Sequence, residues 1–529
     1  MNKLMNWLKQ VFSKVELTFE NFHEYQRVAL EFLYENKFSA LFLDTGLGKT
    51  PILLKLISKL IINEECENIL IIAPQRVANV TWPDEISKWL FSAALSHTII
   101  RENELVDFIN KAGQDARRQC KLDGLSKPIA DAYVAEARAK ASRIAVRTMM
   151  FEREADIYII HKEQVEFLVN SFGRDWPFDT VIIDESSSLK DHKTGRWKAL
   201  WKVRPLIKRM HQLTATPAAE SYLHLFAQIT LLDLGQRLGK NFNKYSDKYF
   251  TQNKYTRKWK AREGAIEEIT EIISDICLVM KQEDYLDLQQ PTLSSRKVKL
   301  SAKQLSLYKQ MENESLIELP DGTEIEAETA AALSQKLLQM SSGVVYETLL
   351  EDDGEGTFKK RRVVHHLHDE KIDELIQLEE ELCGESMLVA YYHQSSLDRI
   401  LKAFPHAKAM DKAGKCIAEW NKGKIKMLLI HPQSDAHGLN LQKGGRHVVF
   451  FDLPWSYENY YQLYRRLARQ GQELLVVIHH LIAEGTIDEV VAECLQQKGD
   501  VQEIFFKILM RFRRKKAREA KLNLELDEL

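Results

Sequence analysis

From Phe22 to about Ala219, short apolar runs alternate with stretches of helical periodicity, the pattern of a parallel sheet covered by helices. The runs Ala40–Leu43, Asn68–Ala73, Asp156–Ile160, Thr180–Ile183 and Gln212–Thr214 predict strands. Each ends in polar or turn residues at the carboxyl edge, where ligands bind in such sheets. Residues around Asn103–Arg153 are charged and helix-forming, which predicts a helical insertion on the surface of this first unit. Its basic cluster, Arg117, Arg118 and Lys121, reads as a solvated face. From Glu220 to Met340 strand alternation lapses, and the segment reads as mostly helical. Glu351–Arg362 reads as a polar hairpin or loop and marks a candidate boundary. Beyond Val363 the alternation returns, with strands expected at Met387–Tyr391, Lys426–Ile430, His447–Phe451 and Leu474–Ile478. The expected organisation is an N-terminal amphipathic helix (1–20), a first α/β unit (21–219), a helical linker (220–362), a second, smaller α/β unit (363–500) and a charged C-terminal helix (501–529).

At 529 residues the chain is too long for one core, and 45% hydrophobic with 28% charged residues is an ordinary water-soluble composition. The formal net charge of −2 does not exclude a nucleic-acid partner, because basic residues can line one cleft of a neutral protein. Six cysteines with no C-x-x-C spacing argue against structural zinc or a disulfide framework and fit a reducing cytosol. No stretch approaches the roughly 18 uncharged apolar residues of a membrane span, so no membrane partner is expected.

The chemistry starts at Asp44–Thr50, DTGLGKT, between the apolar runs Ala40–Leu43 and Pro51–Leu54. Strand, glycine turn and helix in that order make a phosphate loop. Gly46 and Gly48 allow a tight turn that brings backbone N–H groups, including that of Leu47, against a phosphate. Lys49 is placed to reach the β- and γ-phosphates of ATP, and Thr50 to offer a hydroxyl to Mg²⁺. Pro51 suits the first helical turn, and the helix adds its positive end to the anion site. Leu43 stands where the general pattern has glycine. After Thr180–Ile183 come Asp184 and Glu185, acids delivered to the same edge, one to hold the metal and one to activate water. Thr214 and Thr216 end a further strand as hydroxyls able to sense the γ-phosphate. Gln26, in FHEYQ, offers the donor and acceptor that suit an adenine edge. Pro74 ends a strand as a candidate nucleic-acid contact together with Arg76, whereas Trp82 and Trp89 read as core.

DTGLGKT, IIAPQRVANVTWPDEISKW, IIDESSSLK and LTATP resemble motifs I, Ia, II and III of superfamily 2 helicase-like ATPases, most closely the Swi/Snf (chromatin-remodeller-like) branch in a compact bacterial or bacteriophage form. Lys190 also fits that branch, and the superfamily tolerates Leu43. The resemblance implies two RecA-like parallel-sheet lobes with helical insertions between them. HPQSDAHGLNLQ is similar to motif V, with Gly438 and Asn440 coupling nucleotide to nucleic acid. His431 and His437 there lack the spacing of metal ligands. FFDLPWSYENYYQLYRRLARQGQ resembles a D-x-x-W element, whose Trp455 is a candidate DNA contact, followed by motif VI. In motif VI Gln462, Arg466 and Arg469 fall at helical spacing, and the arginines are expected to reach the γ-phosphate held by the first lobe. EGTIDEVV is similar to the family's segment that braces the two lobes. The two-arginine signature of larger relatives is missing from ICLVMKQEDYLDL.

The implied activity is ATP hydrolysis coupled to movement on double-stranded DNA, by a monomer that takes nuclease, recombination or replication functions from a separate partner. Two other readings stand beside it: a helicase that separates DNA or RNA strands, and a non-catalytic ATP-gated scaffold.

Overall fold

The computed structural model describes residues 17–218, 221–254, 259–285, 289–319, 323–327, 329–352, 358–411, 415–433 and 439–499. The expected terminal helices fall largely outside these residues, except for a short 3₁₀ turn at Phe19–Asn21. The chain divides into two units, one up to Tyr285 and one over Leu286–Asp500.

In the first unit the strands are β1 (Phe38–Leu43), β2 (Ile69–Ala73), β3 (His97–Ile100), β4 (Ile157–His161), β5 (Thr180–Asp184) and β6 (Arg209–Thr214). A small hairpin, β7 (Phe250–Gln252) with β8 (Trp259–Ala261), precedes β9 (Cys277–Met280). The sheet order is β3-β4-β2-β5-β6-β1-β9, and each neighbouring pair is parallel. A parallel sheet is covered on both faces, so its inner strands are buried along nearly their whole length. ILIIA of β2 is wholly buried, for example. Phe42, Ile72, Val181, Ile183 and Leu225 belong to one continuous core. The expected insertion forms two helices, Val106–Leu122 and Lys127–Glu152. Its basic cluster is solvated as expected: Arg117 pairs with Asp131 at 3.1 Å, and both side chains are exposed.

The second unit begins with β10 (Thr292–Val298), then the hairpins β11 (Leu316–Glu318) with β12 (Glu324–Glu326) and β13 (Val344–Asp352) with β14 (Phe358–His366). There follow β15 (Met387–Ala390), β16 (Lys408–Ala409), β17 (Met427–Ile430), β18 (His447–Phe450) and β19 (Val477–Ala483). Its parallel sheet runs β10-β19-β18-β15-β17-β16.

The division between units differs from the expected linker over 220–362. Within that stretch β9 joins the first sheet and β10 the second. Both are edge strands, and β10 carries Ser294, Ser295, Arg296 and Lys297, so a hydrophobic pattern does not reveal it. The polar segment expected as a boundary is the β13–β14 hairpin and lies inside the second unit. The expected brace EGTIDEVV anchors that same unit. Asp488 accepts from Ser341 Oγ at 2.8 Å and pairs with the fully buried Lys371 at 2.7 Å.

Candidate functional site

The sheet order of the first unit brings the candidate residues to one edge. Asp184 of β5 is in register with Leu213 of β6, and Thr214 of β6 with Phe42 of β1. The carboxyl ends of three adjacent strands therefore carry Asp184–Glu185, Thr214 and the start of the DTGLGKT turn.

Leu43 is a fully buried residue of β1, so the turn starts one residue later and needs no glycine at that position. Asp44 is buried and its Oδ2 accepts the Gln282 N–H at 3.0 Å, which ties the turn to the residues after β9. Gly46 and Gly48 have φ of 92° and 75°, the left-handed region that favours glycine. Gly48 caps the helix Lys49–Ile62. A Cβ on Gly48 would lie 2.3 Å from Gln26 Nε2, so Gln26 is packed against the turn. The Gln26 amide donates to Leu47 O at 3.2 Å and accepts the His23 N–H at 2.9 Å. Gln26 thus supports the loop, with a second N–H and a lone pair left for a base edge. Lys49 Nζ donates to the carbonyls of Leu43 (2.8 Å) and Asp44 (3.2 Å), which holds the ammonium over the strand end. Thr50 is half-buried in the first helical turn.

Both carboxylates are half-buried. Asp184 Oδ2 accepts the Trp82 indole N–H at 3.0 Å. Trp82 is fully buried, as core was expected to be, but this bond makes it a support for the acid as well. Glu185 has φ 68° and ψ 66°, a left-handed backbone in a residue with a side chain. Such a conformation costs about 1–3 kcal/mol and persists where its surroundings hold it. Glu185 Oε1 accepts from Ser187 Oγ at 2.9 Å and from Thr214 Oγ1. Thr214 Oγ1 in turn accepts the Thr216 N–H at 3.0 Å, so one chain of bonds runs from Glu185 through both threonines.

Pro74 is buried and its carbonyl accepts from Ala78 N, while the neighbouring Arg76 is half-buried at the start of a π-helical turn, Val77–Thr81.

In the second unit, the helix of the expected motif VI ends at Tyr464. Gln462 lies on it and is buried, but Arg466 and Arg469 stand in the turns that follow, so the three do not share a helical face. Turn bonds replace the helix there: Arg466 N–H donates to Leu463 O and Arg469 N–H to Leu467 O. The Arg469 guanidinium donates to Asn440 Oδ1 at 2.7 Å and to Leu439 O at 3.2 Å, which joins the expected motifs V and VI. Gly438 lies outside the described residues. Trp455 is half-buried, and its carbonyl accepts from Lys498 Nζ at 2.7 Å.

Asp452, the acid of the D-x-x-W element, was not among the expected site residues. It is buried and accepts the Tyr392 N–H at 2.8 Å and the Ser342 hydroxyl at 2.6 Å. Burial pushes its carboxyl up, but His393, Lys371 and these donors outweigh that and hold it below the usual carboxylate range. An acid two residues past a strand run, before Pro and Trp, is the sequence signal for it.

The oxygens of Thr50 and Asp184 are hard donors of the kind Mg²⁺ takes, and such an ion draws its remaining ligands from phosphates and water. No cluster of three His, Cys, Asp or Glu side chains among the described residues is arranged to hold a metal. Nor is any described helix long and apolar enough to cross a membrane.

Comparison with known proteins gives family matches over much of the chain. The SNF2-related domain family matches residues 25–343, and the helicase conserved C-terminal domain family matches residues 370–471. "Putative protein p41" of Acyrthosiphon pisum secondary endosymbiont phage 1 is 32% identical over 502 residues, covering 92% of this chain and 98% of that protein. The mouse (Mus musculus) "DNA annealing helicase and endonuclease ZRANB3" is 25% identical over 343 residues, which cover 61% of this chain and 30% of that protein. A solved Sulfolobus solfataricus SWI2/SNF2 ATPase core in complex with dsDNA is 19% identical, with a TM-score of 0.40 over 93% of this chain and 94% of that one.

Proposed function

The chain belongs to the SNF2-related family of helicase-like ATPases, and from that premise we propose that it is a translocase, coupling ATP hydrolysis to movement along double-stranded DNA. Members of the family hydrolyse ATP, and this chain is an ATP-hydrolysing enzyme of that kind. The observation that carries the reading is the convergence of the glycine turn, Asp184–Glu185 and Thr214 on one sheet edge.

In this reading the N–H groups of Gly46–Thr50 and the Lys49 ammonium bind the phosphates, exchanging the Leu43 and Asp44 carbonyls for phosphate oxygens. Thr50 and Asp184 hold Mg²⁺, which neutralises phosphate charge when bound. Trp82 keeps the Asp184 carboxylate oriented. Glu185 takes the proton of the attacking water, and its bonds from Ser187 and Thr214 fix where that carboxylate points. Gln26 presents its remaining N–H to the adenine edge. The second unit contributes Gln462 to ATP binding, and Arg466 and Arg469 to hydrolysis. The bond from Arg469 to Asn440 links that arginine to the loop expected to follow the nucleic acid. Pro74, Arg76 and Trp455 are the proposed DNA contacts. DNA as the track is supported by the name of the mouse relative, a DNA annealing helicase.

The test is an ATPase panel with duplex DNA, single-stranded DNA and RNA, joined to displacement of a third strand from a DNA triplex. Duplex DNA should raise the ATPase rate several-fold and support displacement. Equal rates with and without duplex DNA would overturn the reading, and release of a labelled strand from a tailed duplex would replace it with strand separation.

A further inference from the structure

The helix Leu223–Asp233 is apolar along its buried length except for Gln228, Thr230 and the terminal Asp233. Gln228 is fully buried, and its bonds to other elements lead toward the catalytic edge. Its Oε1 accepts from Ser186 Oγ at 2.9 Å. Its Nε2 donates to Pro217 O at 3.0 Å and to His224 O at 3.2 Å. Its backbone carbonyl accepts Gln212 Nε2 at 3.0 Å, from β6. Ser186 directly follows Glu185, and Pro217 directly follows Thr216.

We infer that Gln228 is a positioning residue for ATP hydrolysis: one amide fixes the segments after Glu185 and after Thr216 relative to each other, and so sets the direction of the Glu185 carboxylate. The inference rests on the reading of Glu185 as the base that activates water. The physical need comes from the left-handed backbone of Glu185, which must be held from outside. Ser186 is the next residue along the chain and is itself fully buried, so its bond to Gln228 acts directly on that conformation. An amide is the side chain that can do this. It accepts on one side and donates on the other, where Ser186 offers a hydroxyl and Pro217 a carbonyl. A leucine or methionine would fill the space and leave both partners unbonded, and a glutamate would face Pro217 O with an acceptor.

The test uses the full chain with Gln228→Met and Ser186→Ala, alone and together, and Ser186→Thr as the conservative variant. Gln228→Met and Ser186→Ala should each lower kcat by about ten-fold or more with KM for ATP nearly unchanged, because the loss falls on the transition state alone. The double variant should be little worse than either single one, and Ser186→Thr should keep near-normal kcat. A purely structural amide would lower the melting temperature and leave kcat in place, and that result would overturn the inference. Independent, multiplying losses would do the same. Ser186→Ala keeps the test open if Gln228→Met does not fold. Glu185→Gln is measured in parallel. Retained turnover there overturns the assignment of Glu185 itself, whereas lost turnover there with normal kcat in the Gln228 and Ser186 variants overturns only the role given to Gln228.

Discussion

Gly48 shows how much of the nucleotide loop depends on single atoms. Its φ of 75° is costly for any residue with a Cβ, and that Cβ would fall 2.3 Å from Gln26 Nε2. Gly48→Ala should therefore weaken ATP binding by ten-fold or more, about 1.4 kcal/mol, in a fluorescent-nucleotide titration. Trp82 offers a second residue-scale test. Trp82→Phe keeps most of the ring and removes the N–H that Asp184 accepts, a charge-assisted bond worth about 2 kcal/mol. ATP binding without Mg²⁺ should stay unchanged, and the Mg²⁺ concentration for half-maximal activity should rise several-fold. Lys49, Asp184 and Glu185 stand out in sequence as candidates because they lie within short motifs at strand ends. Trp82 and Gln228 do not, because their partners are 102 and 42 residues away in the chain. A tryptophan or glutamine in an apolar stretch reads as packing until the fold supplies its partner.

Among elements, the inner strands followed from their continuous apolar runs, and most ends shifted by only a residue or two, as β2 and β17 illustrate. The edge strands did not follow, because β10 is polar and half exposed and buries little that a hydrophobic pattern can register. The helix Tyr457–Tyr464 erred the other way. Sequence spacing extends it through Arg466 and Arg469, but bonds to the neighbouring loop win over continued winding. Arg469 reaches Asn440, and Gln472 donates to the carbonyls of Gln442 (2.9 Å) and Gly445 (3.0 Å). These tertiary bonds are invisible to periodicity. Arg469→Ala should leave much of ATP binding intact and abolish hydrolysis, measured by nucleotide titration beside steady-state turnover. Asn440→Ala, which removes only the partner, should retain more turnover than Arg469→Ala. Loss of binding together with hydrolysis in Arg469→Ala would point instead to a fold defect in the loop.

For the whole molecule, the second unit carries a built-in acid sensitivity. His480 is buried against Phe450 and Tyr460, and burial, then the nearby His479, pushes its imidazole down to about 4. His479 is likewise lowered to about 4 by burial and by the adjoining His447. Unfolded histidine titrates near 6.5, so between 6.5 and 4 the unfolded chain binds more protons than the folded one. Stability is therefore full above 6.5 and is lost as the pH falls toward 4, by about 2 kcal/mol at pH 5 for His480 alone. Melting curves at pH 7.5 and pH 5 should show this drop, and His480→Phe should flatten it even if it lowers the melting point at pH 7.5. The strand order has a consequence of another kind, in the timing of synthesis. The first sheet has all its strands once Met280 has left the ribosome, so that unit can close while the rest is still being made. The second cannot, because its opening strand pairs with its final one, Thr292 beside Val477 through Val298 beside Ala483. Translation pauses placed before residue 477 would leave β10 without its neighbour, and a nascent-chain protease assay should find the first unit protected long before the second.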